Sequence, residues 1–258
     1  MVQVLLLGGH GKVALHMTKL LTKAGHIVTS IIRSADHIPD INAHAVSPGL
    51  VKPTVSSIED ATPESIAVQL EGIDWVIWSA GAGGKGGPER TIAVDQEAAK
   101  KYISASLAAP SVSKFLMVSA LISRREPAPY WGEEDVASFR TGWKAIPTYC
   151  EAKLQADIWL YDESRKLEKA GGKSVGWEDI HLRPGSLSDK EATGKVDLGR
   201  ARAKGEVSRA DVAAVGVALL ERGDVAGLWV DLVEGEEEIG EAVERVVKGK
   251  ITARTDAE

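Results

Sequence analysis

The segment Val2–Leu7 is an unbroken apolar run that leads straight into Gly8-Gly9-His10-Gly11, and this junction limits the chain to few folds. A run with no polar alternation suits a parallel strand covered on both faces. It is too short to span a bilayer and lacks the basic start of a secretion signal. Val13–Ala24 then carries Val13, Leu15, Met17, Leu20 and Leu21 at helical spacing, and Gly25 stops the helix. Ile27–Ile32 is rich in β-branched residues and predicts the second strand.

The rest of the chain repeats this alternation. Strands are predicted at Ile73–Trp78, Val112–Val118, Glu178–Leu182 and Leu228–Leu232. Helices are predicted at Thr91–Leu107, Thr148–Ala170, Arg209–Glu221 and Glu236–Val247, with a further helix start at Thr62-Pro63-Glu64. A glycine-rich loop, Gly81–Gly87, follows the third strong strand. The proline-bearing stretch Arg33–Glu59 predicts loop with a short strand near Ala43–Val46, and Arg124–Pro147 predicts irregular structure. Together these predict an α/β fold with a doubly wound parallel sheet, built as one domain over residues 1–258. Residues 185–258 are expected to supply the last strand and helix and a small C-terminal substrate-side extension.

The formal net charge is -6 and the basic residues are scattered, which argues against a nucleic-acid partner. No segment is long and apolar enough to predict a membrane span. A single cysteine, Cys150, allows no internal disulfide and fits a reducing compartment, so a cytoplasmic location is expected. Cys150 itself is expected to be packed and inert. His10, His16, His26, His37, His44 and His181 form no metal-ligand spacing, so no metal is expected. The helix Thr148–Ala170 is long enough to pair with its twin in a homodimer.

The first strand–helix junction carries the clearest chemical signal. Gly8 permits a tight turn, Gly11 lets the backbone approach a pyrophosphate, and Ala14 allows close helix–strand packing. Free N–H groups at the helix start then face the phosphates. Gly8, Gly9, His10, Gly11, Lys12 and Val13 are therefore assigned to dinucleotide binding. The end of the second strand reads the adenosine ribose. Here it offers Arg33, with no acid until Asp36, which favours the 2′-phosphate of NADP(H) over NAD(H).

Tyr149 and Lys153 stand at i and i+4 and share one helix face. An ammonium beside a phenol favours the phenolate and equips the phenol for proton transfer. Ser119, at the carboxyl end of Phe115-Leu116-Met117-Val118, is expected to join them in the crevice. Tyr130, Trp131, Phe139 and Trp143 are expected to anchor the 124–147 insertion to the core, with covering a substrate pocket as the alternative. Trp75, Trp78, Trp159, Trp177 and Trp229 are expected in the core.

Taken in order, these residues resemble the short-chain dehydrogenase/reductase superfamily, in particular its atypical single-domain NAD(P)H-binding branch related to nucleoside-diphosphate-sugar epimerases. The resemblance rests on Gly8–Ala14, Asp74–Gly81, Val118-Ser119, Tyr149 with Lys153, Leu182–Gly185 and Ser208–Ala213. It implies that Tyr149 exchanges a proton with a substrate oxygen, that Lys153 holds the nicotinamide ribose, and that Ser119 hydrogen-bonds the reacting oxygen. It also implies that Ala80, Gly81 and Ala82 line the adenosine and pyrophosphate side, and that Pro184 and Gly185 begin a segment closing over the nicotinamide. The leading expectation is an NADP(H)-dependent oxidoreductase of a small carbonyl or alcohol. A cofactor-binding regulator without chemistry is the second reading, and a sugar-nucleotide epimerase or dehydratase the third.

Overall fold

The computed structural model of the protein describes residues 1–84, 86–173 and 175–255. Lys85, inside the expected glycine-rich loop, lies outside the described residues. The first strand, β1 (Gln3–Leu7), is buried along Val4–Leu7. Val4 and Leu6 pack on one face of the sheet while Leu5 and Leu7 pack on the other, which is why the run carries no polar alternation. The strand hands over to α1 (Lys12–Lys23), whose Val13, Ala14, Met17 and Leu21 are buried against the sheet. β2 (Ile27–Ile32) returns parallel to β1, and β3 (Val51–Val55) pairs parallel to β2.

The chain then crosses to the other side of β1. α3 (Pro63–Gln69), begun by a Thr62–Ser65 capping box, precedes β4 (Trp75–Trp78). After β4 come α4 (Gly87–Thr91), a π-helical stretch at Ile92–Ala98 and α5 (Ala99–Ala108) as one rod. β5 (Lys114–Val118), α6 (Glu133–Ala145) and α7 (Pro147–Lys169) follow, then β6 (Glu178–Pro184). The last part holds β7 (Ser186–Ser188), β8 (Lys195–Gly199), β9 (Glu206–Ser208), α8 (Arg209–Leu220), β10 (Leu228–Glu234), β11 (Glu237–Glu238) and α9 (Ile239–Lys248).

The described strands give a nine-stranded sheet in the order β3-β2-β1-β4-β5-β6-β10-β8-β11. It is parallel from β3 to β10, and β8 and β11 add an antiparallel edge. β7 and β9 form a separate parallel pair. Helices α1, α8 and α9 cover one face, and α3, α5 and α7 the other. The order reverses between β1 and β4, so a crevice opens at their carboxyl ends, where open α/β sheets hold ligands. The doubly wound α/β fold is thus present.

Several local expectations are corrected. Residues 43–46 form no strand; Ile38–His44 is a helix, α2, with Pro39 in its first turn, where a missing N–H costs nothing. The strand of that region is β3, which tolerates Pro53 because it pairs on one side only. The stretch 124–147 is not irregular throughout. It contains α6, whose first turn bears Glu133, Glu134 and Asp135, all favourable at a helix N-terminus. Trp159 is 37% exposed and donates to Ser104 Oγ, so it is not a core residue. No helix of the described residues is long and apolar enough to cross a membrane.

Candidate functional site

The end of the crevice at the first strand–helix turn is made from backbone. Gly8 turns out of β1 with φ +80°, and a Cβ there would lie 2.6 Å from the Ala80 Cα beyond β4. Gly11 N–H closes the turn onto the Gly8 carbonyl at 2.8 Å. No side chain caps the start of α1, and no acid lies in its first turn, so its free N–H groups stay available to an anion. Gly9 has another task. Its N–H donates to the Ile31 carbonyl at 2.9 Å, and a Cβ would collide with Ser30 Oγ, so it seats the loop on β2.

A cavity of about 280 Å³ opens from this turn, between Gly8, His10, Gly11 and Arg33 on one side and Ser79–Gly83 on the other. Ser56–Glu59 and Arg90 close its far end, where Arg90 donates to Glu59 at 2.8 Å. Arg33 is exposed at the rim and has no ion-pair partner among the described residues. His10 stacks on His37 at 3.8 Å between ring centres and contacts Asp40 at 2.8 Å. Lys12 pairs with Asp189, which also accepts from Arg209 at 2.7 Å, so its side chain sits in a neighbouring groove. Val13 is core.

The other end of the crevice is made from side chains. Lys153 is 4% exposed and donates to the Ala80 and Val118 carbonyls, each at 3.3 Å, which ties α7 to the carboxyl ends of β4 and β5. A third side of the ammonium faces Asp95 Oδ1 at 3.1 Å. Burial alone would lower the Lys153 pKa, but Asp95 overrides it and holds the group charged. The other Asp95 oxygen accepts from Ala82 N–H at 2.9 Å. Asp95 reaches this position from the π-helical stretch, a local widening often found at functional sites.

Tyr149 is half-buried, and its ring centre lies 5.9 Å from Lys153 Nζ. Its hydroxyl has no hydrogen-bond partner among the described residues. Burial raises the phenol pKa; Lys153 pulls it down, and Asp95 pushes it up. Ser119 follows β5 and donates its hydroxyl proton to Asp157, which also accepts from Ser123 at 3.2 Å. Asp157 continues to His181 Nδ1 at 3.0 Å. The far side of His181 faces Asp179 at 3.4 Å, and Asp179 accepts from Arg165 at 2.5 Å. Polar side chains are therefore linked one to the next from the crevice floor outward to Arg165. Trp229 stacks on His181 at 4.4 Å and fixes the ring.

Pro184 and Gly185 end β6 beside the Ser119–Arg124 turn, with Leu121 N–H on the Pro184 carbonyl at 2.9 Å. Arg183 donates to the Ser123 carbonyl at 2.8 Å and holds the same turn from below. The insertion is anchored by its aromatics. Leu121, Trp131, Phe139 and Val233 form a satellite core, and Trp131 Nε1 donates to the Ala201 carbonyl at 2.9 Å.

The structure thus places Gly8, His10, Gly11, Arg33, Ala80, Gly81 and Ala82 along one cavity. Tyr149 and Lys153 stand together beyond it, and Ser119 lies on the next strand end with its proton turned to Asp157. Asp95, Asp157 and His181 escaped sequence reasoning. Asp157 did have a signal, since it stands four residues after Lys153 on the same helix face.

The glycine cradle, the uncapped helix start and the switch-point crevice fit a dinucleotide. A family model for NAD(P)H binding matches residues 8–223. The chain belongs to the NAD(P)H-binding family. Two full-length relatives of this family member stand out. UPF0659 protein C216.03 of Schizosaccharomyces pombe is 37% identical over 94% of both chains. The uncharacterized sugar epimerase YhfK of Bacillus subtilis is 28% identical over 95% of this chain and 100% of its own. Among solved structures, the oxidoreductase ylbE of Lactococcus lactis superposes with a TM-score of 0.73 at 25% identity, covering 95% of this chain and 97% of its own.

Proposed function

We propose that this protein is an NADP(H)-dependent reductase of small carbonyl compounds, with Tyr149 as proton donor. The observation that carries the reading is half-buried Tyr149, its hydroxyl without a partner among the described residues, beside a lysine anchored at the strand ends. A phenol kept free in a crevice is in position to meet a substrate oxygen. The Gly8–Gly11 turn, Ala80 and the start of α1 would hold the dinucleotide, and Arg33 would bind the 2′-phosphate through its planar fork. When bound, the dihydronicotinamide supplies a hydride; the protein supplies position and the proton.

Ser119 gives its one proton to Asp157, so toward substrate its Oγ accepts. It is suited to receive a hydrogen bond from the product hydroxyl. Lys153 is enclosed by two carbonyls and Asp95, so its main task is to fix α7 against the strand ends.

The test is Tyr149→Phe, assayed for NADPH oxidation against a panel of small aldehydes and ketones. Turnover is expected to fall at least about a hundredfold, the usual size of a general-acid contribution, with NADPH affinity nearly intact. Unchanged turnover sinks the assignment of Tyr149. Tight NADPH binding with no turnover on any carbonyl favours the regulator reading instead.

A further inference from the structure

We infer that Asp95 sets the pH at which Tyr149 changes from proton donor to proton acceptor, moving that change to the alkaline side. This rests on the reading of Tyr149 given above.

The argument begins with geometry. A tyrosine beside a lysine is ordinarily taken as a phenol made acidic by a nearby cation. Here the cation is already matched. Asp95 Oδ1 stands 3.1 Å from Lys153 Nζ, and both side chains are almost wholly buried. Opposite charges this close act on a third group nearly as a dipole, whose field falls off faster than that of a bare charge. The groups facing Tyr149 are Lys153, Cys150 and Asp157 on α7 itself, and Asp95 on the π-helical stretch packed against α7. One cation thus faces two carboxylates. Burial is the largest influence on the phenol and raises its pKa; Lys153 opposes this, while Asp95, Cys150 and Asp157 reinforce it.

Asp95 is also held in place independently of Lys153. Its Oδ2 accepts from Ala82 N–H, and its Oδ1 lies where a Cβ on Gly81 would come within 2.9 Å. The carboxylate is therefore wedged between the glycine loop and the lysine.

The chemical result follows from the proton balance. As the carbonyl carbon accepts a hydride, the carbonyl π pair moves onto oxygen. That oxygen takes the proton as the Tyr149 O–H bond breaks, and water later returns a proton to the phenolate. In the reverse reaction the phenolate must take the proton from the alcohol O–H. Reduction therefore uses the neutral phenol and oxidation uses the phenolate. One ionisation sets the alkaline fall of the first and the alkaline rise of the second.

Asp95→Asn removes the charge, keeps the shape and keeps an oxygen for Ala82 N–H. The first readout needs no cofactor. Tyrosinate absorbance is titrated in the wild type and in Asp95→Asn, each against its Tyr149→Phe counterpart, which cancels Tyr102, Tyr130 and Tyr161. Tyr149 is expected to ionise about one pH unit lower in Asp95→Asn, giving roughly tenfold more phenolate at a given pH below the midpoint. The second readout is the pH profile of kcat/KM in both directions, whose limbs are expected to shift together to lower pH. Superimposable Tyr149 titrations in the two backgrounds overturn the inference. So does a wild-type Tyr149 that ionises below the ordinary tyrosine range near 10, a result that needs only the Tyr149→Phe reference and no Asp95 variant to fold. A failure of the reductase reading would show elsewhere, as full turnover in Tyr149→Phe.

Discussion

At the Gly8–Gly11 end of the crevice the surface is made of backbone: the Gly8 turn, closed by the Gly11 N–H, and the open start of α1. The opposite end is made of side chains: the buried Lys153–Asp95 pair, and a chain that runs from the Ser119 hydroxyl through Asp157, His181 and Asp179 to Arg165. The two ends should therefore fail differently. A backbone cradle fails when a Cβ is added, since there is no side chain to take away. A buried ionic chain fails when any member is removed, because its neighbours keep a desolvated charge with no partner.

The largest expected effect tests the ionic end. His181→Gln leaves Asp157 and Asp179 without the cation between them, and is expected to cost about 4 kcal/mol of stability in denaturant unfolding. The effect also carries a pH signature. Burial lowers the His181 pKa, but its bonds to Asp157 and Asp179 override this and hold it above the ordinary 6.5. A raised native value means that the contribution is complete below the unfolded value and disappears as pH rises through the native one. The wild-type Tm should therefore lose, as pH rises from 6.5 through the native value, a component that His181→Gln lacks. Parallel pH profiles in the two proteins would break the comparison.

Next in size is the backbone end. Gly8→Ala places a Cβ at a φ of +80° and 2.6 Å from Ala80 Cα. Strain of about 1–3 kcal/mol is expected. NADPH affinity, read by calorimetry, should fall more than about tenfold, because the loop must move to relieve it. Native affinity in this variant would show that the cradle is not what holds the dinucleotide. The smallest effect sharpens the picture. Arg33→Ala should weaken NADPH by roughly tenfold, the worth of a charge-assisted contact, and leave NADH unchanged. Equal loss for both cofactors would remove Arg33 from phosphate recognition.

The same contrast explains what could be read from the residues alone. A site made of backbone needs glycines at set positions after a strand, and Gly8, Gly11 and Ala14 announce themselves by their smallness. Tyr149 and Lys153 were also legible, because a helix puts i and i+4 on one face whatever surrounds it. Asp95 was not, because its position depends on a π turn, and nothing in Ile92–Ala98 distinguishes such a turn from ordinary helix. His181 looked like any strand residue in Glu178–Leu182. Its partners come from α7 and from its own strand, and only the packed sheet brings them together. In the corrected regions proline misled throughout: Pro39 and Pro53 hid α2 and β3, and Pro127, Pro129 and Pro147 hid α6 between them. In each case the residue suits its place for a reason that becomes visible only once the neighbouring element is known.

The π turn has a bearing on how sequences like this one can drift. A regular helix advances about 100° per residue, so one residue more or less inside a rod rotates everything beyond it relative to what came before. Ile92–Ala98 accommodates that kind of phase slip between α4 and α5. Deleting a single residue there would restore the ordinary ladder and swing the carboxylate away from the lysine, even with every side chain in the crevice preserved. In this rod the number of residues matters to the Asp95–Lys153 contact as much as their identity, so a one-residue gap at this point would mark the loss of that contact.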